Sequence, residues 1–271
     1  VGPEGLLAIP HRNLFVAASE VDDRGAAIRS IITLYQLEHG SPTYPTIMSA
    51  NRANGLPIPW GALSALAADL SDPNQLYTVY DSFYQHTRIF GVNASQQPAL
   101  ITSEIVLHED GNPLNLDAEG LAVRQDGGFW LVSEGAGSVD DPSRPVTSLN
   151  LLLQVAADGT VLKTIELPDA TNALQRRFGF EGVASVVSGD NELVYVAFQR
   201  EWIGDPDNQV RIGRYEVATG EWTFFYYPLD TPTSPNGGWV GLSEVFAVDD
   251  TTFAVVERDN QAGPDATIKK L

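Results

Sequence analysis

The chain has 271 residues, a net charge of −19, 43% hydrophobic residues and no cysteine. That length suits one large all-β domain or two small ones, and the apolar content excludes a disordered chain. The acidity excludes the basic footprint that nucleic acids and anionic membranes require; the missing cysteines exclude disulfides and thiolate metal sites; no apolar run reaches the roughly 18 residues of a membrane helix.

In chain order the pattern is a repeated group of strands. Residues 4–9 read as a strand, turn at 10–13 and return through 14–20, with further strands at 28–37 and 43–48. The second repeat has strands at 63–67, 76–81, 88–92 and 100–107, and the third at 117–123, 129–134, 149–155 and 161–167. The fourth has strands at 181–184, 193–200, 209–217 and 222–227; the fifth has 242–248, 253–258 and the start of a third strand at 267–271. Val, Ile, Tyr, Phe and Thr dominate these runs, and Asp, Asn, Pro and Gly fill the turns between them. One helical turn fits at 171–177, and no longer run has helical periodicity, so a parallel α/β sheet is disfavoured.

Five copies start roughly 60 residues apart, which predicts an all-β β-propeller of four-stranded antiparallel blades. The expected blades are 2–48, 61–107, 117–168, 179–228 and a partial 240–271, in one domain spanning 1–271. A propeller closes its ring to protect its edges, and Val1 is not an initiator Met, so the chain is expected to be a piece of a longer one with more than five blades.

In a propeller the first strand of each blade lines the channel, and its start opens on the same face as the end of the second strand. This gathers Glu4, Glu20, Asp81, Glu119, Glu134, Glu181, Gln199, Arg200, Glu244, Glu257, Arg258 and Asp259 at one mouth. Crowded carboxylates raise one another's pKa, and a hard cation relieves that cost. Calcium suits such oxygen donors, because it tolerates irregular geometry. Glu4, Glu119, Glu134, Glu181 and Glu257 are the expected metal ligands. Glu181 and Glu119 are the expected catalytic carboxylates, and Arg200 and Arg258 the expected phosphate-holding cations, the other reading of both arginines being salt bridges to the glutamates.

Other chemistries find no footing. There is no Gly-x-Ser-x-Gly elbow, no P-loop and no dinucleotide fingerprint, and the four histidines (11, 39, 86 and 108) lack zinc-protease spacing. The run 205–209 is dense in oxygen donors but lacks the EF-hand pattern and reads as a turn. Trp130, Trp202 and Trp222 are expected to pack between blades, while Trp60 and Trp239 lie just before first strands, near the mouth.

The stretches Asp117-Ala118-Glu119-Gly120-Leu121-Ala122, Gly179-Phe180-Glu181-Gly182-Val183-Ala184 and Val256-Glu257-Arg258-Asp259-Asn260 resemble motifs of the phytase-like family described as having esterase-like activity, over roughly residues 60–271. The segments 2–6 and 18–21 also resemble a repeat of the alkaline-phosphatase-like propellers of large secreted bacterial proteins. The resemblance implies a β-propeller, export to the periplasm or outside the cell, and calcium-assisted hydrolysis of a phosphoester; the chain is expected to take a small ligand and to be a monomer. The second repeat departs from the pattern with Leu63-Ser64, and the fifth with Leu242-Ser243-Glu244, so the ring of equivalent ligands is incomplete. Three readings stand: a calcium-dependent phosphoric-ester hydrolase acting on phytate-like or other phosphomonoesters, a calcium-dependent lactonase or esterase, and a non-catalytic binding module with structural calcium.

Overall fold

The computed structural model describes residues 3–19, 32–36, 46–189 and 191–271. The chain divides into two compact units, Val1–Pro45 and Thr46–Leu271, and the division falls inside the run 43–48 that ends the first expected blade. The first unit holds an antiparallel sheet of β1 (Pro3–Ile9), β2 (Leu14–Ser19) and β3 (Ile32–Gln36) in that order.

In the second unit four sheets form a four-blade propeller arrangement, named here after the repeats that build them. Before them comes β4 (Ile47–Ser49). Blade 2 contains β5 (Leu63–Ala68), β6 (Gln75–Tyr80), β7 (Arg88–Asn93) and β8 (Ala99–Val106). A two-stranded hairpin of β9 (His108–Glu109) and β10 (Asn112–Pro113) follows. Blade 3 contains β11 (Ala118–Val123), β12 (Phe129–Ser133), β13 (Leu151–Val155) and β14 (Val161–Glu166). Blade 4 contains β15 (Phe180–Ser188), β16 (Asn191–Phe198), β17 (Gln209–Glu216) and β18 (Glu221–Pro228). Blade 5 contains β19 (Val240–Ala247), β20 (Phe253–Asp259) and the short β21 (Lys269–Lys270). The helical turn expected at 171–177 lies at Asp169–Asn172, and among the described residues no helix is long and apolar enough to cross a membrane.

One strand departs from the sequence reading. The run 43–48 is expected as the outer strand of the first repeat; instead Ile47–Ser49 pairs in parallel with β8 as a fifth strand of blade 2, and residues 43–45 lie outside the described residues. The physical reason is the edge of β8, whose unpaired groups β4 covers while Ile47 packs against the cluster of Ile58, Tyr80, Phe90, Val92 and Ile101.

The core lies between blades. Ala65, Val79 and Ile89 of blade 2 meet Leu121, Phe129 and Leu131 of blade 3. Trp130, Val132 and Leu152 of blade 3 meet Phe180, Val194, Val196 and Phe198 of blade 4, together with Trp202. Ala184, Ala197 and Val210 of blade 4 meet Val240, Leu242 and Val245 of blade 5. Trp130 also donates its indole N–H to Glu192 at 2.7 Å, so the aromatic ring that seals this seam carries its own polar tie.

The innermost strands lie side by side in the order β5, β11, β15, β19, and each carries a β-bulge near its start. The extra residue is Ser64 in β5, Glu119 in β11 and Ser243 in β19, and in β15 the irregularity spans Glu181 and Gly182. A bulge frees one residue from the ladder and re-aims its side chain. The Gly after each glutamate has a packing role. A Cβ on Gly120 would lie 2.6 Å from the Glu181 carbonyl oxygen and 2.9 Å from the Val183 nitrogen. Gly182 meets the backbone of Glu244 and Val245 as closely. The Glu-Gly pair thus sets a carboxylate at the mouth and lets the next inner strand approach.

Gly120→Ala is expected to lower unfolding free energy by about 1–3 kcal/mol in a denaturant titration, as overpacking does. Gly61→Ala, whose Cβ would meet nothing closer than 3.6 Å, is expected to stay within about 1 kcal/mol of the parent.

Candidate functional site

Five carboxylates meet at one end of the inner strands. Asp81 follows β6, Asp117 precedes β11, Glu119 occupies the β11 bulge, Glu134 follows β12 and Glu181 lies in the β15 bulge. One oxygen from each of Asp81, Asp117 and Glu119 lies within 4.8 Å of the other two. Asp117 Oδ1 is buried without a hydrogen-bond partner. The Glu134 carboxylate accepts the Gly179 N–H at 2.7 Å, which fixes the entry to blade 4 against blade 3.

Crowding sets the electrostatics. Burial, then the charges of Asp117, Asp81 and Glu134, push Glu119 up to about 8. Burial, then the charges of Glu119 and Glu134, push Glu181 up to about 9. Burial also raises Asp117, and the adjacent Asp81 carboxyl adds to the rise. Burial raises Glu134 against the opposing pull of the Gly179 N–H. Arg258 supplies the countercharge that lowers Glu119 and Glu181, and its Nε donates to Ser243 Oγ at 2.6 Å, so the bulge residue of β19 holds the guanidinium. Gln199 Nε2 donates to Glu181 Oε1.

Three adjoining cavities surround this cluster. One of about 300 Å³ has Asp117, Glu134, Arg144 and Arg177 in its wall. A second, of about 510 Å³, shares Asp117, Glu134 and Ala136 with it. A third, of about 370 Å³, shares Arg177 and Phe178 with the first and contains Arg200. Among the described residues neither Arg144 nor Arg177 forms an ion pair, whereas Arg176 pairs with Asp140.

Of the residues expected from the sequence, Glu119, Glu134 and Glu181 are brought together with Asp81, and Arg258 faces them. Glu4 lies at the bulge of β1 in the first unit, and Glu20 lies outside the described residues. Arg200 is held by Glu201 at 3.0 Å and stacks over Trp239, its guanidinium 4.8 Å from the ring centroid. Glu244 lies at the seam of blades 4 and 5, accepting the Val245 N–H at 2.9 Å, and burial pushes it up to about 8.

Glu257 requires a correction. Its carboxylate is 1% exposed and accepts from the Tyr227 hydroxyl at 3.0 Å and the Asp230 N–H at 2.7 Å, away from the other glutamates. Neighbouring residues of a strand face opposite sides, so with Arg258 turned to the mouth Glu257 turns away from it. Asp259 shares that side and ties the 261–269 loop through Lys269 and the N–H groups of Gln261, Thr267 and Ile268, which hold its carboxyl below the usual range.

Sequence reasoning missed Asp117, Arg144 and Arg177. Asp117 stands two residues before Glu119, the spacing that shares a strand face, and only the third repeat has it. The arginines lie in the loops after β12 and β14, longer than the usual two to five or so residues of a hairpin, and long ordered loops are where function concentrates.

The sequence pattern of the family described as "Phytase-like: Esterase-like activity of phytase" matches residues 58–271. The chain belongs to this phytase-like family. Its match begins just before blade 2 and takes in all five carboxylates. No curated protein sequence matches the chain. Solved structures resemble it distantly. A Bacteroides caccae protein of unknown function is 10% identical with a TM-score of 0.39, covering 97% of this chain and 71% of its own. A Thermus thermophilus protein assigned as an oxidoreductase of the glucose dehydrogenase kind is 12% identical with a TM-score of 0.38, covering 100% and 96%. A Bacillus subtilis family 43 arabinoxylan arabinofuranohydrolase is 14% identical with a TM-score of 0.35, covering 93% and 57%. At these values the likenesses say nothing about the chemistry of the phytase-like chain.

The raised carboxyls give the phytase-like protein a pH signature. Native Glu119 and Glu181 keep protons up to about 8 and about 9, while the unfolded chain releases them near the ordinary glutamate value of 4.5. The native state therefore binds more protons, and unfolding free energy falls as pH rises. In chelator, the melting temperature is expected to decline from pH 5 to pH 9. Glu181→Gln is expected to flatten this decline and to melt above the parent at the alkaline end, as followed by differential scanning fluorimetry.

Proposed function

We propose that the chain is a calcium-dependent phosphoric-ester hydrolase whose site is the carboxylate cluster at the channel mouth. One observation carries this reading: Asp81, Asp117 and Glu119 converge within 4.8 Å beside a cavity that holds Arg144 and Arg177. The donor set fits a hard cation, being oxygen only, with Asp117 Oδ1 buried and unpartnered. Asp81, Asp117 and Glu119 would hold the ion, with Glu134 beside them. When bound, calcium would neutralise carboxylates and phosphate oxygens and lower the pKa of nearby water.

The residues divide the remaining work. Arg144 and Arg177 offer fork donors to phosphate oxygens, which guanidinium groups match well. They also give an anion a local attraction within a chain of net charge −19. Glu181 holds a proton near neutral pH and is bonded to Gln199, so it suits proton delivery to the leaving oxygen of an ester. Arg258, tethered to Ser243, steadies the carboxylates. The same reading puts the protein outside the cytoplasm, where calcium is abundant enough for sites of modest affinity.

Chelator-stripped protein is expected to release no phosphate from phytate or simple phosphomonoesters, and added calcium to restore release. Glu119→Gln is expected to cut turnover roughly 100-fold or more with the fold intact. Glu257→Gln is expected to lower the melting temperature instead. Calcium-independent release removes the metal from the reading, and no release from folded protein under either condition leaves a binding module.

A further inference from the structure

The largest of the three cavities differs in character from the other two. Its outer wall carries Phe83 and Tyr84, which are 65% and 38% exposed. Their rings meet edge to face at 4.9 Å, and Tyr84 rests in turn on Tyr80, which is 1% exposed, at 5.7 Å. This aromatic pair is braced on the core yet open to solvent. Its chain position is fixed too: Phe83 N donates to the Asp81 carbonyl, and Ser82 Oγ donates to the Asp81 carboxylate at 2.8 Å. The aromatic platform is therefore two residues from a member of the carboxylate cluster.

The rest of the wall mixes leucines with polar side chains, Ser82, Gln85, Asn115 and Ser133 among them. Leu149 and Leu151 line it, Ser148 Oγ is engaged by the Ala136 N–H at 2.9 Å, and Asn115 Oδ1 is engaged by the His86 N–H. Asp117 and Glu134 belong both to this cavity and to the one with Arg144 and Arg177. The carboxylates thus stand between Arg144 and Arg177 on one side and the aromatic pair on the other. A substrate that spans them has an anionic head on one side and a flat apolar body on the other.

We infer that the phosphoester taken by this site is a monoester of an aryl or similarly planar apolar alcohol, its ring seated on Phe83 and Tyr84 and its phosphate directed to Arg144 and Arg177. The inference rests on the phosphoesterase reading above and narrows it. The aromatic pair gives a planar apolar body a stacking face that a polyol, with no flat apolar ring, does not use. In the reaction, the oxygen of water forms the new bond to phosphorus, the bond from phosphorus to the aryl oxygen breaks, and that oxygen takes up a proton. The products are a phenol and inorganic phosphate.

The test uses the full chain with calcium and two readouts. The first is the ratio of kcat/KM for 4-nitrophenyl phosphate to that for glycerol 2-phosphate. The second is binding of benzylphosphonate, which cannot be hydrolysed, by titration calorimetry. In the parent protein the ratio is expected to favour the aryl ester. Phe83→Ala is expected to lower it roughly tenfold, within the range that apolar pocket contacts discriminate, and Phe83→Trp to retain it. Phe246→Ala, outside the mouth cavities, is expected to leave it unchanged. Phosphate release with no aryl preference, or with a ratio that Phe83→Ala does not move, overturns the inference and leaves the phosphoesterase reading standing. No release from any ester, with benzylphosphonate binding that Phe83→Ala abolishes, removes the phosphoesterase reading and supports the aryl site. Absence of benzylphosphonate binding to the folded parent overturns the inference outright.

Discussion

Glu119 and Glu181 cannot both carry charge near neutral pH in the mouth they share, because burial and the neighbouring Asp81, Asp117 and Glu134 all oppose it. Solvation that water would give these groups is replaced by very little: one guanidinium from Arg258 and one amide from Gln199. At neutral pH, protons retained on Glu119 and Glu181 relieve part of that repulsion.

Backbone geometry positions the two glutamates. In β11 and β15 the bulge takes a glutamate out of the ladder and the glycine after it lets the next inner strand close in, so the distance between Glu119 and Glu181 is set by main-chain packing between blades. Side chains then adjust the edges. Glu134 spends one oxygen on the Gly179 N–H, which couples the mouth to the blade 3–blade 4 seam, the seam that Trp130 and Phe180 fill below. Stability and site geometry therefore share the same residues.

The legible part of this protein was its local part. Alternating apolar runs and Gly- or Asp-rich turns gave the four-stranded repeats, and the Glu-Gly pair pointed to the mouth because strand ends that recur must converge. What the sequence does not reveal is which way a residue faces once a bulge or a neighbour intervenes. Glu257 and Arg258 are adjacent and looked equivalent, yet pleating allows only one of them to reach Glu181. Arg144 and Arg177 come from long irregular loops, where no period exists to project their positions. Asp117 was visible as a residue of the motif, but its role depends on Asp81, contributed by a different blade.

β4 has a consequence for the order of assembly. Every other pairing of named strands joins neighbours in sequence, so each blade can zip up from its own turns. β4 must instead find β8 with a whole sheet intervening, and its docking edge does not exist until that sheet has formed. Contacts with this separation are late ones, and a three-residue strand is held by few bonds. Its amides should exchange with solvent by local peeling long before those of β6 or β7, making β4 the latch that is set last and lifted first.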